Sequence, residues 1–191
     1  MILIIENRFI FNRLHLLIYL FQNKRMIYPE TKLGEFIFSL YEHHLIKFGD
    51  FTLKSGKKSN IYLDLRSLIS YPETFNRAIN LMKEKLFEIG ADEKKSSLLA
   101  IPYSGLIFAS HLQNNFKAPL FYKRKEQKEY GTKKLFEGIE VIKENSYNDF
   151  SIYIIEDVVT TGSSIIETLE HLDSDLVSRI KGIICLVDRR E

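Results

Sequence analysis

The spacing of apolar residues along the chain changes several times, and each change marks an element. Leu33, Phe36, Ile37, Leu40, Tyr41 and Leu45 recur at helical intervals, which predicts a helix over residues 31–47. A two-residue alternation takes over in FGDFTLKSGKKSNIYLDLR, residues 48–66, through Phe51 and Leu53 and then Ile61, Leu63 and Leu65, with a turn at Ser55 and Gly56. That is the pattern of a β-hairpin. Pro72 opens a second helix that runs to about Ile89, where Gly90 breaks it. Strands and helices then alternate. Strands are predicted at 98–101, at 120–122, near 139–142, at 152–155 and at 180–187, and a helix entered through Pro102, Ser104 and Gly105 runs through Leu112. This order predicts an α/β domain with a mostly parallel central sheet flanked by helices, the first helix and the hairpin standing apart from it.

The most informative stretch is SIYIIEDVVTTGSSIIETLEHL, residues 151–172. Its β-branched run breaks at the acidic pair Glu156 and Asp157, then passes through Val158, Val159, Thr160, Thr161, Gly162, Ser163 and Ser164 into an amphipathic helix. Backbone amides in such a loop, with the positive end of a helix dipole behind them and hydroxyl donors beside them, make a cradle for a phosphate. Neither Gly-Lys-Ser/Thr nor Gly-x-Gly-x-x-Gly is present, so the usual nucleotide loops are excluded. Two carboxylates at the strand end can accept hydrogen bonds from vicinal sugar hydroxyls while the loop holds a phosphate on the same sugar. The implied ligand is a ribose 5-phosphate; the competing reading is an ordinary strand-to-helix turn capped by Thr and Ser.

Composition narrows the class. A chain of 191 residues, 45% apolar and 13% aromatic, suits one domain with a sizeable core. A formal charge of +2 is too mild to argue for nucleic acid or an anionic membrane, although KRKEQKEYGTKK, residues 123–134, is densely basic and needs a local explanation. Cys185 is the one cysteine and lies in an apolar run, which excludes an internal disulfide and suits a reducing, cytoplasmic setting. The five histidines have no zinc-ligand spacing. Residues 1–25 look unlike the rest: the apolar stretch 9–21 is too short and too charged to span a bilayer, Glu6 precedes it and no cleavage site follows. Either Met26 is the natural start or these residues are a dispensable extension, with residues 26–191 as the expected domain.

In a parallel sheet, ligands gather beyond the C-terminal strand ends. Those places are residues 103–105, 123–131, 156–164 and 188–190, which supply hydroxyls and amides, cations, the acid pair with its cradle, and further cations. Together the hairpin, the turn IPYSG, the run YKRKEQKEYGTKKLFEG, the loop EDVVTTGSS and the end LVDRRE resemble the orotate phosphoribosyltransferases, in order and at fitting spacings from about Thr31 onward. These are members of the type I phosphoribosyltransferases. The Tyr-Gly-Thr-Lys-Lys form of the basic run is nearer to the orotate domain of bifunctional UMP synthases than to the usual bacterial His-Gly form.

The resemblance implies the type I phosphoribosyltransferase fold, with an N-terminal helix and hairpin hood over residues 31–70 and a core over 71–191. It implies transfer of a phosphoribosyl group from phosphoribosyl pyrophosphate (PRPP) to orotate, with Mg²⁺ on the pyrophosphate, held largely by substrate oxygens and water and at most near Asp157 on the protein side. It also implies a homodimer with shared sites, and a decarboxylase as fused domain or separate chain, with neither nucleic acid nor membrane as partner. By the same resemblance Lys128 neutralises the departing pyrophosphate and is catalytic with Asp157. Lys54, Arg124, Lys125 and Tyr130 bind PRPP phosphates, Glu156 and Asp157 hold the ribose hydroxyls, and Thr160, Thr161, Gly162, Ser163 and Ser164 surround the 5-phosphate. Tyr62, Leu63 and Arg189, with Lys54 and Thr160, lie on the orotate side. The sequence departs from the bacterial pattern at Ser104, where many relatives have a phosphate-binding Lys, at Tyr130 in place of a His, and at Asn60 in place of a Pro. Two rival functions remain open at this point: a phosphoribosyltransferase for a purine, and a PRPP-sensing regulator that binds a partner such as RNA through the basic run.

Overall fold

The computed structural model describes residues 31–52, 56, 58–126, 134–144 and 149–189. They divide into two compact units, and the boundary falls between Leu81 and Met82. Residues 1–25, Lys54, Lys128 and Tyr130 lie outside the described residues.

In the first unit, α1 (Lys32–Glu42) starts where Thr31 accepts the Gly34 amide on its hydroxyl at 3.1 Å, an N-cap that satisfies one orphan donor. Phe36, Ile37 and Leu40 are its buried stripe. The helix ends at Glu42 rather than near residue 47, because His44 adopts φ 55° and turns the chain out of helical geometry. Leu45 kept the apolar spacing, but its amide returns to Leu40 O at 2.9 Å and strand follows at once. That strand, β1 (Ile46–Thr52), pairs antiparallel with β2 (Lys58–Leu63), Ile46 opposite Leu63 and Phe48 opposite Ile61. A 3-10 turn (Arg66–Ser70) leads to α2 (Pro72–Glu88), whose residues Phe75, Ala78, Ile79, Met82 and Leu86 are buried at the three- and four-residue intervals of one helix face. The unit boundary falls inside α2.

The second unit is built on a five-stranded sheet ordered β5-β4-β3-β6-β7. Its elements run β3 (Ser96–Ala100), α3 (Ser104–Phe116), β4 (Leu120–Lys123), β5 (Phe136–Glu137), α4 (Ile139–Lys143), β6 (Ser151–Val159), α5 (Ser163–Leu169), α6 (Ser174–Ser178) and β7 (Ile180–Asp188). All neighbours are parallel except β4 and β5. Leu99, Ile101, Phe121, Ile152, Ile154, Ile165 and Ile183 belong to one buried cluster, with the α4 residue Ile142 among them.

Two expectations fail here. Residues 139–142 are helix, not strand. Ile139 and Ile142 stand three apart and both pack on the core, while Glu140, Val141 and Lys143 are exposed, a one-sided pattern that a strand cannot produce. Gly138 makes the turn, at φ 77°, and a Cβ there would lie 2.6 Å from Leu120 O. The strand expected to break at the acid pair instead runs on to Val159. Its ladder with β3 stops at Ala100 and Ile155, whereas β7 continues beside it, with Glu156 opposite Cys185, Val158 opposite Val187 and Val159 opposite Asp188. The acids therefore lie inside β6, on the one stretch where the sheet is open on the β3 side.

That opening has a topological meaning. From β3 the chain moves to β4 and β5 on one side, then crosses back to place β6 and β7 on the other. The strand order reverses between β3 and β6, and ligands of open α/β sheets bind in the crevice beyond such a reversal.

Candidate active site

At the reversal β3 ends in the turn through Pro102, Tyr103 and Ser104, and α3 leaves from it with Gly105 in its first turn. A Cβ on Gly105 would lie 2.6 Å from Ile155 O and 3.2 Å from both Cα and Oε1 of Glu156. Only a residue without a side chain lets this turn lie directly on the acid-bearing strand.

Glu156 and Asp157 are each only 8% exposed. In a parallel ladder successive bonding residues alternate sides, and Ile155 O, which accepts from Ile101 N at 3.1 Å, faces β3. The Asp157 amide therefore faces the same way, beyond the end of β3, and donates to Glu156 Oε1 at 3.0 Å. Burial pushes the Glu156 carboxyl up to about 9, with the hydrogen bond to the Asp157 side chain and its charge acting in the same direction and the Asp157 amide and Lys125 acting against them. Near neutral pH Glu156 is thus a neutral acid beside Asp157, able to donate as well as accept. Lys125, two residues beyond the end of β4, acts on this group through its charge, and its ammonium stands 4.3 Å from the centroid of the exposed Tyr103 ring.

The cradle follows β6. Gly162, at φ 75°, turns the chain into α5, and its carbonyl accepts from Ile165 N and Ile166 N, both at 3.0 Å. Thr161 Oγ1 donates to Ser163 Oγ at 3.2 Å, and Thr160, Thr161, Ser163 and Ser164 are all exposed. Buried Ile165 and Thr168, whose hydroxyl donates to Ser164 O at 2.8 Å, anchor the helix beneath them. Arg189 is tied to the same place, its amide donating to Val159 O at 2.8 Å, one residue before Thr160.

The described residues thus bring together Lys125, Glu156, Asp157, Thr160, Thr161, Gly162, Ser163, Ser164 and Arg189 at one end of the sheet. Arg124 points elsewhere: its Nη1 lies 2.6 Å from Glu137 Oε1, and its amide donates to Leu135 O at 2.8 Å, so it closes the neck between β4 and β5. Tyr62 and Leu63 belong to the hairpin unit, where Leu63 pairs with Ile46 and the exposed Tyr62 ring lies 5.5 Å from that of Phe51. The sequence puts Tyr103 and Gly105 in a strand-end turn that supplies hydroxyls and amides, without an individual role for either. The signal for Gly105 was its position, a glycine in the first turn of a helix directly after a buried strand. An open depression of about 820 Å³, lined by Lys94, Gln113, Lys117 and Phe150 among others, lies at the N-terminal strand ends, away from the acid pair. No group of three His, Cys, Asp or Glu side chains that could hold a metal occurs among the described residues.

A family profile described as "Phosphoribosyl transferase domain" matches residues 67–191. The chain belongs to the phosphoribosyltransferase family. The chain is 36% identical over 168 residues to the uridine 5'-monophosphate synthase of Bos taurus, an alignment covering 87% of the chain and 33% of the relative. It is 36% identical over 157 residues to the orotate phosphoribosyltransferase of Sulfurisphaera tokodaii, covering 82% of the chain and 74% of the relative. Among solved structures, UMP synthase of Leishmania donovani superposes with a TM-score of 0.61 at 32% identity, over 87% of this chain and 33% of that one. The chain therefore spans about a third of the length of its UMP synthase relatives. Among the described residues no helix is long and apolar enough to cross a membrane.

Proposed function

We propose that this phosphoribosyltransferase transfers the 5-phosphoribosyl group of PRPP to orotate, giving orotidine 5'-monophosphate and pyrophosphate in cytoplasmic pyrimidine synthesis. The observation that carries the reading is the meeting, at one strand-order reversal, of a buried acid pair, a hydroxyl-rich cradle and Lys125. The choice of orotate is supported by relatives named orotate phosphoribosyltransferase at 33–38% identity.

Breaking the bond from C1 of the ribose to pyrophosphate builds positive charge on the sugar and negative charge on the leaving group, so positioning and electrostatics dominate. In this reading Thr160, Thr161, Gly162, Ser163 and Ser164 hold the 5-phosphate. Glu156 and Asp157 hold the two ribose hydroxyls, the neutral Glu156 acting as donor or acceptor as the sugar requires. Lys125, steadied on Tyr103, faces the pyrophosphate, and Lys128, a few residues further on, neutralises it as it leaves. Arg189 and the hairpin residues Tyr62 and Leu63, with Lys54, select the base. Arg124, engaged with Glu137, acts on phosphate only by exchanging that partner.

A resident metal cage does not fit a donor set of two adjoining carboxyls of which one is neutral, but a metal carried by the substrate does. Asp157 is then the protein group nearest to it in role. Mg²⁺ supplies neutralisation of the pyrophosphate oxygens, which suits an ion reluctant to shed its water.

Loss of orotate absorbance on adding the chain, Mg²⁺ and PRPP tests the function, with adenine and hypoxanthine as controls. Turnover of a purine alone would replace the substrate, and turnover of no base would favour a PRPP-binding regulator. We further propose a homodimer with Lys128 serving the partner's site, and a decarboxylase supplied as a fused domain or a separate chain. Lys128→Ala and Asp157→Ala chains are each expected to lose about 10³ in kcat, while their mixture regains about a quarter of wild-type activity, since half the dimers then hold one intact site. A mixture as inactive as its components would rule out sharing.

A further inference from the structure

Strand β4 has one residue out of character. Its buried positions alternate, and Phe121, fully buried, lies in the cluster that contains Ile165 of α5. Two residues on, the same face carries Lys123, only 8% exposed. A lysine is almost never so buried without a partner. Here the partner is α5: Lys123 Nζ stands 2.8 Å from Glu167 Oε1 and 3.2 Å from Glu167 O. Glu167 O belongs to the last turn of α5, where carbonyls lack helical partners and a cation is favoured, so Lys123 closes that end of the helix as well as pairing its side chain. The pairing with Lys123 lowers the Glu167 carboxyl below its usual range. His171 Nδ1 reaches the same carbonyl at 2.8 Å.

The other end of α5 carries the cradle. Lys123 therefore holds the rear of a seven-residue helix whose front is the phosphate loop, and it does so from the residue directly before Arg124 and Lys125. A helix this short has little rigidity of its own. Its placement along the sheet is held by buried Ile165 and Thr168, by Leu169 packed against the core cluster, and by this lysine.

We infer that Lys123, through Glu167, is a positioning residue: it sets the phosphate loop at a fixed distance from the Lys125 end of β4, so that the 5-phosphate and the pyrophosphate of one PRPP molecule are met together. The inference rests on the proposed phosphoribosyl transfer. Lys123 touches no substrate in this arrangement.

Lys123→Met keeps the stem and deletes the charge; Glu167→Gln, on a side chain 70% exposed, keeps the fold and weakens the pair. The expected result is a rise in KM for PRPP of about tenfold in Lys123→Met and about threefold in Glu167→Gln, with KM for orotate unchanged and ribose 5-phosphate affinity, read by calorimetry, falling in parallel. Lys123→Arg is expected to restore most of the loss. A lower melting temperature with PRPP KM and ribose 5-phosphate affinity both unchanged would reduce Lys123 to a packing residue and overturn the inference. Should the wild-type chain bind ribose 5-phosphate but turn over no orotate, the proposed reaction fails while calorimetry on the variants still decides this point. A wild-type chain that does not bind ribose 5-phosphate overturns both.

Discussion

Gly105→Ala is expected to lower kcat/KM for PRPP by at least 100-fold and the melting temperature by about 5 °C. The added carbon would lie 2.6 Å from Ile155 O, a distance at which real carbons are essentially never found, and 3.2 Å from Cα and Oε1 of Glu156. What it meets is mostly main chain of a buried strand, so no flexible side chain can swing away. Either the first turn of α3 lifts off β6 or the acid-bearing strand moves, and either shift displaces the site by a sizeable fraction of an ångström. Gly90→Ala, just beyond α2 and away from the site, is the control. A Cβ there meets nothing within 4 Å, but φ is 84°, so the cost is roughly 1 kcal/mol of backbone strain without a collision. Steady-state kinetics and thermal unfolding on both variants check this, and a Gly105→Ala chain as active as Gly90→Ala would show that the close approach does not order the site.

Glu156→Gln is expected to make the protein more stable at alkaline pH. The folded protein raises the carboxyl from 4.5 to about 9, chiefly by burial. Between those values the unfolded chain has released its proton and the folded chain has not, so the folded state holds more protons and stability falls as pH rises. The slope is roughly 1 kcal/mol per pH unit while that difference lasts, and it disappears below pH 4.5 and above about 9. Glutamine keeps an oxygen for the Asp157 amide and has no proton to lose. The melting temperature of Glu156→Gln should therefore exceed that of the wild type by an amount that grows from pH 5 to pH 9, to roughly 10 °C. Parallel melting curves across that range would contradict the assignment of a neutral Glu156. Activity is a separate matter, because an amide cannot change between donor and acceptor at one atom as a carboxyl can.

What could be read from the chain were the features that local chemistry imposes. The hydroxyl loop after the acids, the hairpin before the parallel strands and four of the five strands of the sheet all follow from runs of a few residues. Pairings between distant segments left no such trace. Arg124 looked like one more cation for phosphate because Glu137 is thirteen residues away, and only the antiparallel pairing of β4 with β5 brings the two together. Lys123 disappeared into a basic run because burial is set by α5, 44 residues on. The strand seemed to stop at Glu156 because two adjoining acids are rarely buried, and nothing local announces that β7 outlasts β3. Ile139 and Val141 favoured a strand by their branching, whereas the position of Ile142 in the core decided for helix.

The early end of β3 also turns one amide into an isotope reporter. Most amides of β6 are locked in ladders with neighbouring strands, and their exchange with deuterium waits on opening of the sheet. The Asp157 amide is covered instead by the Glu156 carboxyl, a single side chain for which a ribose hydroxyl would compete under the proposed function. Adding ribose 5-phosphate should slow exchange along 151–155, as binding stabilises the fold, while the Asp157 amide exchanges faster than before. A signal of opposite sign at one position would register the carboxyl leaving its own backbone for the sugar.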